Sequence, residues 1–177
     1  MQTGKKGFTL MELLIVVVMV SGLAAIAYPA YISSIERARA SEAVTMLGAI
    51  KAAQEKNYIM YDQYATTFRE IRDFTPAVST EQADVNSFQL KENYFVSEYF
   101  VYRMVAIDGV PCATASRISL NNNGGFTDLN KGYSFLAFYQ EDFIRCIPFQ
   151  NNKEGEKICS SLTDQTKRTG ENFYRIF

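Results

Sequence analysis

The sequence predicts an α+β fold in which one long N-terminal α-helix packs on an antiparallel β-meander of about four strands. Two observations support this prediction. Apolar residues follow a helical pattern from about Phe8 to about Tyr61, and from Phe88 onward the pattern changes to short strands separated by turns. One apolar face of such a sheet requires a cover, and the amphipathic part of the helix can supply it.

The helix begins with an apolar segment from Phe8 to Ala27, in which Glu12 is the single ionisable side chain. Its length is close to the roughly 20 residues that an α-helix needs to cross about 30 Å of hydrocarbon. A carboxylate in the bilayer core costs on the order of 2.5–3.5 kcal/mol, so such residues usually have a partner and a function. Taken alone, Glu12 either lies near enough to the interface to stay hydrated or pairs with a positive group.

A short basic leader precedes the apolar segment. Lys5 and Lys6 place the N-terminus in the cytoplasm by the positive-inside tendency, so the residues after the segment lie outside. Cleavage between Gly7 and Phe8 would create an α-amino group near Glu12 on one face of a helix. The same amine on a neighbouring copy would reach Glu12 equally well, which would make the carboxylate an assembly contact.

The run Gly7-Phe8-Thr9-Leu10-Met11-Glu12-Leu13-Leu14 resembles the class III signal of type IV pilins and of type II secretion pseudopilins. The resemblance implies that a prepilin peptidase cuts after Gly7 and N-methylates Phe8, and that Glu12 guides subunit docking. Met11 departs from the isoleucine that is frequent in the family, and this change keeps the apolar volume.

The helical pattern continues beyond the membrane edge and is interrupted at Gly22 and Pro29, where we expect a kink. Pro29 falls where the resembling pilins carry their helix-bending proline. Beyond it, apolar residues recur at the three- and four-residue spacing of an amphipathic helix: Ala43, Met46, Leu47, Ile50 and Ala53. We therefore divide the chain into a leader (1–7), a transmembrane and assembly half of the helix (8–29) and a head outside the membrane (30–177).

Four later segments have the composition and alternation of strands: Tyr94–Ile107 (one long strand or two short ones), Ala113–Leu120, Tyr133–Tyr139 and Phe143–Phe149. Residues 61–85 are predicted to be linker-like, with a short helix near Thr66–Phe74, and the resembling pilins carry a variable loop at this place. Asp108-Gly109 is a turn signal, and Asn121-Asn122-Asn123-Gly124-Gly125 is the strongest one in the chain.

The chain has three cysteines in a compartment that permits disulfides. Cys146 and Cys159 enclose a polar loop, and closing it would add on the order of 3 kcal/mol. We favour this pair, with Cys112 as a free buried thiol. Many of the resembling pilins carry an exposed C-terminal disulfide loop, and residues 146–159 match it by position. The third cysteine departs from their two-cysteine pattern and leaves the connectivity open.

The sequence gives little support for catalysis, metal binding or nucleic-acid binding. The absence of histidine excludes His-based catalytic triads and most zinc chemistry. The three thiols also lack a paired C-x₂-C spacing. Asn121–Asn123 with Asp128 offers oxygen ligands for Ca²⁺, but one carboxylate without EF-hand spacing favours a plain turn. A net charge of −1 and few clustered basic residues argue against nucleic acid as the main partner. We therefore predict no catalytic site, no metal site and no cofactor.

The predicted function is that of a non-enzymatic prepilin. The resemblance implies a helical filament of copies, minor pilins, a prepilin peptidase and an inner-membrane assembly platform with its ATPase. It also implies a single-pass inner-membrane location, with the N-terminus cytoplasmic, before the chain reaches a cell-surface pilus or periplasmic pseudopilus. The filament would support adhesion, twitching motility or DNA uptake.

Two alternatives stay open. The first is a type II secretion pseudopilin; the disulfide loop and Pro29 favour a pilin, because major pseudopilins commonly hold calcium in place of such a loop. The second is an ordinary single-span or secreted protein, since Ala24-Ala25-Ile26-Ala27 has the small residues of a signal-peptide cleavage site.

Overall fold

The structure, a computed structural model, describes residues 8–71, 74, 94–97, 99–118, 132–149, 152–163 and 172–176. Two compact units divide the chain, Met1–Glu36 and Arg37–Phe177. Some predicted features lie outside the described residues: the leader with Gly7, the turn at 121–125, and the calcium candidate with Asp128.

The predicted long helix is present as α1, Leu10–Tyr61. Pro29 lies inside it without ending it, although proline removes one helical hydrogen bond. The helix ends at Asp62, which adopts the left-handed conformation (φ 56°) and donates its backbone N–H to the carbonyl of Tyr58 at 2.8 Å. A left-handed residue directly after the last turn is a common way for a helix to stop.

The second half of α1 buries one stripe of side chains, spaced alternately by three and four residues as the helical period requires: Ala40, Ala43, Leu47, Ile50, Gln54 and Asn57. Of the predicted apolar positions, Ala43, Leu47 and Ile50 lie in the stripe, and Met46 and Ala53 are partly buried beside it. The four apolar residues of the stripe belong to the same core cluster as the sheet residues.

Within the described residues, the sheet has six antiparallel strands, each paired with the next in chain order. They are β1 (Tyr94–Val96), β2 (Phe100–Ile107), β3 (Val110–Arg117), β4 (Tyr133–Phe138), β5 (Ile144–Pro148) and β6 (Tyr174–Ile176). The meander is confirmed, but the expected count of about four strands is wrong.

Two features account for the extra strands. The segment Tyr94–Ile107 is broken by a tight turn, in which the N–H of Ser97 donates to the carbonyl of Phe100 at 2.8 Å. The resulting β1 and β2 lie side by side. The C-terminal β6 is only three residues long, too short for an alternation pattern to be visible in the sequence.

The register places one aromatic-rich row on the inner face of the sheet, against α1. This row consists of Phe95, Tyr102, Ala115, Phe135, Cys146 and Tyr174. All six side chains are buried in one core cluster with α1. The aromatic residues thus form the core, as their strand spacing predicts.

The predicted turn at Asp108-Gly109 joins β2 to β3, and both residues have positive φ (52° and 79°). This combination is typical of a type I′ hairpin turn, whose twist matches that of the flanking strands. Glycine in the second position adopts such a φ without steric cost.

Two further predictions were wrong. The polar stretch after Cys146 was expected to be a loop, but it contains a helix, α2 (Lys153–Ser161). The side chain of Asn152 caps this helix by accepting from the N–H of Gly155 at 2.9 Å. The short helix expected near Thr66–Phe74 is not formed in the described residues 66–71, which make a turn instead.

Candidate assembly segment and disulfide-closed helix

The N-terminal part of α1 is exposed on all sides. Every side chain from residue 8 to residue 32 is exposed, and Ile15 is the least exposed large apolar one between Leu10 and Val20, at 43%. Among the described residues, α1 is the one helix that is long and apolar enough to cross a membrane, with a mean hydropathy of 2.5 in its most apolar window. A helix that is apolar all round requires lipid or another apolar surface.

Thr9 and Glu12 close the start of this helix with two reciprocal hydrogen bonds. The backbone N–H of Glu12 donates to Thr9 Oγ1 at 3.2 Å, and the backbone N–H of Thr9 donates to Glu12 Oε2 at 2.9 Å. The hydroxyl of Thr9 donates to the same carboxylate oxygen at 2.9 Å. This arrangement is a capping box, which satisfies donors that the first helical turn otherwise leaves unpaired.

The capping box explains part of why the chain carries a carboxylate in an apolar segment. Glu12 accepts bonds from its own chain, and its negative charge lies at the positive end of the helix dipole. These bonds do not neutralise the charge, and the described residues give Glu12 no cationic partner. A cation from beyond the described residues would therefore be favourable.

Thr9 caps the start of α1 and is absent from the residues predicted for this segment. A threonine three positions before a glutamate, directly ahead of an apolar run, is a known signature of a helix start. The pattern was therefore visible in the sequence.

The structure also reports on the other residues of this segment. Phe8 is 85% exposed and lies four positions before Glu12, just ahead of the first residue of α1. A Cβ added at Gly22 would meet no atom within 4 Å, so space does not require a glycine there. The expected kink at Gly22 and Pro29 stays a prediction.

Cys146 and Cys159, the pair favoured by the sequence, are joined by a disulfide with a Cα–Cα distance of 5.6 Å. Both cysteines are fully buried. The bond links α2 to β5. The segment that it encloses therefore contains a helix, whereas its composition suggests a polar loop.

Cys112 is free and buried in β3. Burial raises the pKa of its thiol to about 11, so it stays protonated and unreactive at neutral pH.

The packing of α2 depends on a close approach between two glycines. A Cβ added at Gly155 would lie 1.9 Å from the carbonyl oxygen of Gly132, which is a severe backbone clash. Gly155, Ile158 and Cys159 are the buried residues of α2, and the others face outward. The helix therefore offers a mostly polar outer surface anchored by a disulfide.

The chain is similar to several characterised proteins. It is 32% identical over 122 residues to a fimbrial protein of Neisseria meningitidis serogroup A, covering 69% of this chain and 62% of the relative. It is 34% identical over 92 residues to the type IV major pilin protein PilE1 of Neisseria gonorrhoeae, covering 52% and 53%. Over 66 residues it is 44% identical to the type IV major pilin protein PilA of Myxococcus xanthus, covering 37% and 30%.

These similarities are partial. The matched region spans less than two thirds of the length of each of these relatives. No protein-family model matches the chain.

Proposed function

Because the chain is type IV pilin-like in sequence and in its α+β fold, we propose that it is a structural, non-enzymatic subunit of a type IV pilus-like filament. One observation carries this proposal. The first stretch of α1, residues 10–32, is apolar and exposed, and it begins with a capped carboxylate that has no cationic partner among the described residues. Such a segment can be surrounded by lipid before assembly and by copies of itself in the assembled filament.

Processing supplies the missing cation. A prepilin peptidase cuts after Gly7, so that Phe8 becomes the N-terminal residue and is N-methylated. A methylated amine keeps its positive charge. The Phe8 amine of one subunit then pairs with Glu12 of its neighbour, which removes much of the cost of an uncompensated carboxylate in an apolar environment.

The energetics explain why assembly requires machinery. The apolar segment makes equally good apolar contacts in lipid and in a bundle of identical helices, so it has little reason to leave the membrane spontaneously. An inner-membrane platform and its cytoplasmic ATPase would extract the subunit and place it beside its neighbours. Minor pilins would join the same filament.

The head then lies on the outside of the filament. Before assembly the chain is a single-pass protein of the bacterial inner membrane, with its N-terminus in the cytoplasm and its head in the oxidising compartment where the Cys146–Cys159 bond forms. The assembled filament would serve adhesion, twitching motility or DNA uptake.

The pseudopilin alternative differs in what stabilises the C-terminal region. The disulfide that closes α2 supports the pilus proposal, since by family resemblance a major pseudopilin holds calcium there. A calcium titration followed by thermal unfolding separates the two. The pilus proposal expects at most a small change in Tm, and a large calcium-dependent increase would favour the pseudopilin.

The processing step is tested by mass spectrometry and N-terminal sequencing of the mature protein. We expect N-methyl-phenylalanine derived from Phe8 as the first residue. A mature protein that begins after Ala27 would show that the apolar segment is a cleaved signal peptide and would refute the proposal.

A further inference from the structure

The end of α1 and the loop after it enclose a small pocket on the surface of the head. Its volume is about 210 Å³, and it is lined by Asn57, Tyr61, Gln63, Tyr64, Ala65 and Glu70. Pockets for drug-sized ligands occupy roughly 300–1,000 Å³. This pocket is smaller, and its size suits a ligand with a single ring.

Two buried amide side chains of α1 hold the loop in place. Gln54, which is fully buried, brackets the backbone of Ala65: its Nε2 donates to the carbonyl at 2.9 Å and its Oε1 accepts from the N–H at 2.8 Å. Asn57 is 5% exposed, and its Nδ2 donates to the carbonyl of Gln63 at 3.1 Å. Buried amides are costly unless they are bonded, so these contacts fix the loop to the helix and preform the pocket.

One wall of the pocket carries a fixed carboxylate. Glu70 accepts from the backbone N–H groups of Thr66 and Thr67 at 2.8 and 3.3 Å, which closes the turn between them. The bond from the Thr66 N–H, above all, holds the pKa of Glu70 below its usual value. Oε2 also accepts from the hydroxyl of Thr66 at 3.2 Å, so Oε1 is the oxygen of this ionised carboxylate that is left for a ligand.

Tyrosine rings form the other part of the lining. The ring of Tyr64 lies 4.8 Å from that of Tyr58 and 5.0 Å from that of Tyr139, so neighbouring rings fix its position. Burial raises the pKa of Tyr64, and its hydroxyl remains a hydrogen-bond donor. Tyr61 is 48% exposed, so its ring is accessible to a ligand.

We propose that this pocket binds one neutral sugar ring, such as the terminal hexose of a glycan. A sugar presents an apolar C–H face that packs on an aromatic ring, and hydroxyls that require both donors and acceptors. Among the lining residues, Tyr61 has an exposed ring, Gln63 and Tyr64 carry an amide and a hydroxyl that can donate, and Glu70 carries the acceptor. The carboxylate of Glu70 disfavours an anionic sugar in the same place.

The proposal is tested by saturation-transfer NMR on the full chain in dodecylphosphocholine micelles, whose headgroup is not a sugar. The probes are galactose, glucose, mannose and N-acetylgalactosamine, with N-acetylneuraminic acid as an anionic comparison and trilysine as a cationic one. We expect saturation transfer to the ring C–H protons of at least one neutral sugar, and none to N-acetylneuraminic acid.

Substitutions locate the binding. Tyr61→Ala should weaken it on the order of tenfold or more, as truncation of a central aromatic anchor commonly does. Tyr61→Phe should retain it because the ring remains. Ile59→Ala is the matched control, since Ile59 is 83% exposed on the same helical turn and does not line the pocket. Near-ultraviolet circular dichroism confirms that each variant folds.

Three results would overturn the proposal: no transfer to any neutral sugar, binding that Tyr61→Ala leaves unchanged, or binding of trilysine alone. The measurement uses unassembled chain and no residue of the exposed apolar segment. A negative result would therefore leave the filament proposal untouched.

Discussion

Residues 10–32 and residues 40–57 belong to the same helix, but their side chains have opposite environments. The first stretch exposes its apolar side chains in all directions, whereas the second buries a single stripe in the core of the head. The buried stripe of the second stretch therefore belongs to the core of the head, whereas the side chains of the first stretch stay exposed. We propose that lipid and other copies of the chain cover the apolar surface of the first stretch.

Leucine substitutions in the two stretches test this contrast most strongly. Leu47 is fully buried and Leu23 is 70% exposed. Leu47→Ala should destabilise the head by about 2–5 kcal/mol, because it leaves a cavity in a packed core. Leu23→Ala should leave head stability unchanged. Thermal unfolding of the full chain in micelles, followed by near-ultraviolet circular dichroism, measures the stability of each variant. Equal losses of stability in the two variants would contradict the difference between the two stretches.

Removal of the disulfide should act on the head alone. The bond links residues 13 positions apart, and a loop of this size contributes about 3 kcal/mol. The double substitution Cys146→Ala with Cys159→Ala should lower the free energy of unfolding by about this amount in urea titrations. The helical signal of the apolar segment should persist.

The matched control for the disulfide is Cys112→Ala, which removes a buried thiol that makes no covalent bond. It should cost less than the double substitution. A Cys112→Ala variant that loses as much stability would indicate that packing, and not the bond, holds this side of the sheet.

Alkaline pH should also weaken the head selectively. Burial raises the pKa of the Cys112 thiol from 9.0 to about 11, and it raises the pKa of the Tyr102 and Tyr139 hydroxyls. The folded state therefore keeps these protons to higher pH than the unfolded chain does. The thiol contribution is constant below about pH 9 and is lost as the pH rises toward 11.

This pH dependence is measured as the Tm of the head between pH 7 and pH 11. Cys112→Ala should make the decline between pH 9 and pH 11 shallower than in the wild type. Parallel curves for the two proteins would show that the thiol contributes nothing to it.

The sequence predicted those parts of the molecule whose pattern is long or chemically distinctive. The second half of the helix and the apolar residues of its stripe follow from helical periodicity, and the first half follows from an uninterrupted apolar run with one ionisable residue. The hairpin at Asp108-Gly109 follows from turn chemistry, because its backbone conformation favours these residue types.

The parts that were mispredicted are short or depend on the tertiary structure. α2 contains only three buried residues, so its composition resembles that of a loop, and its signal is the cap at Asn152. Phe68 and Ile71 have helical spacing, but they reach the core from a turn. β6 is a strand because it pairs with β5, and its three residues are too few to show an alternating pattern in the sequence.

The central claim is that Glu12 joins subunits, and filament yield from cells expressing Glu12→Ala tests it most directly. The variant should insert and be processed after Gly7 but should assemble poorly. Glu55→Ala, which removes an exposed carboxylate from the head half of the same helix, should assemble normally.

Thr9→Ala breaks the cap but keeps the charge, so it should reduce the yield less than Glu12→Ala does. Normal filaments from Glu12→Ala would contradict the account.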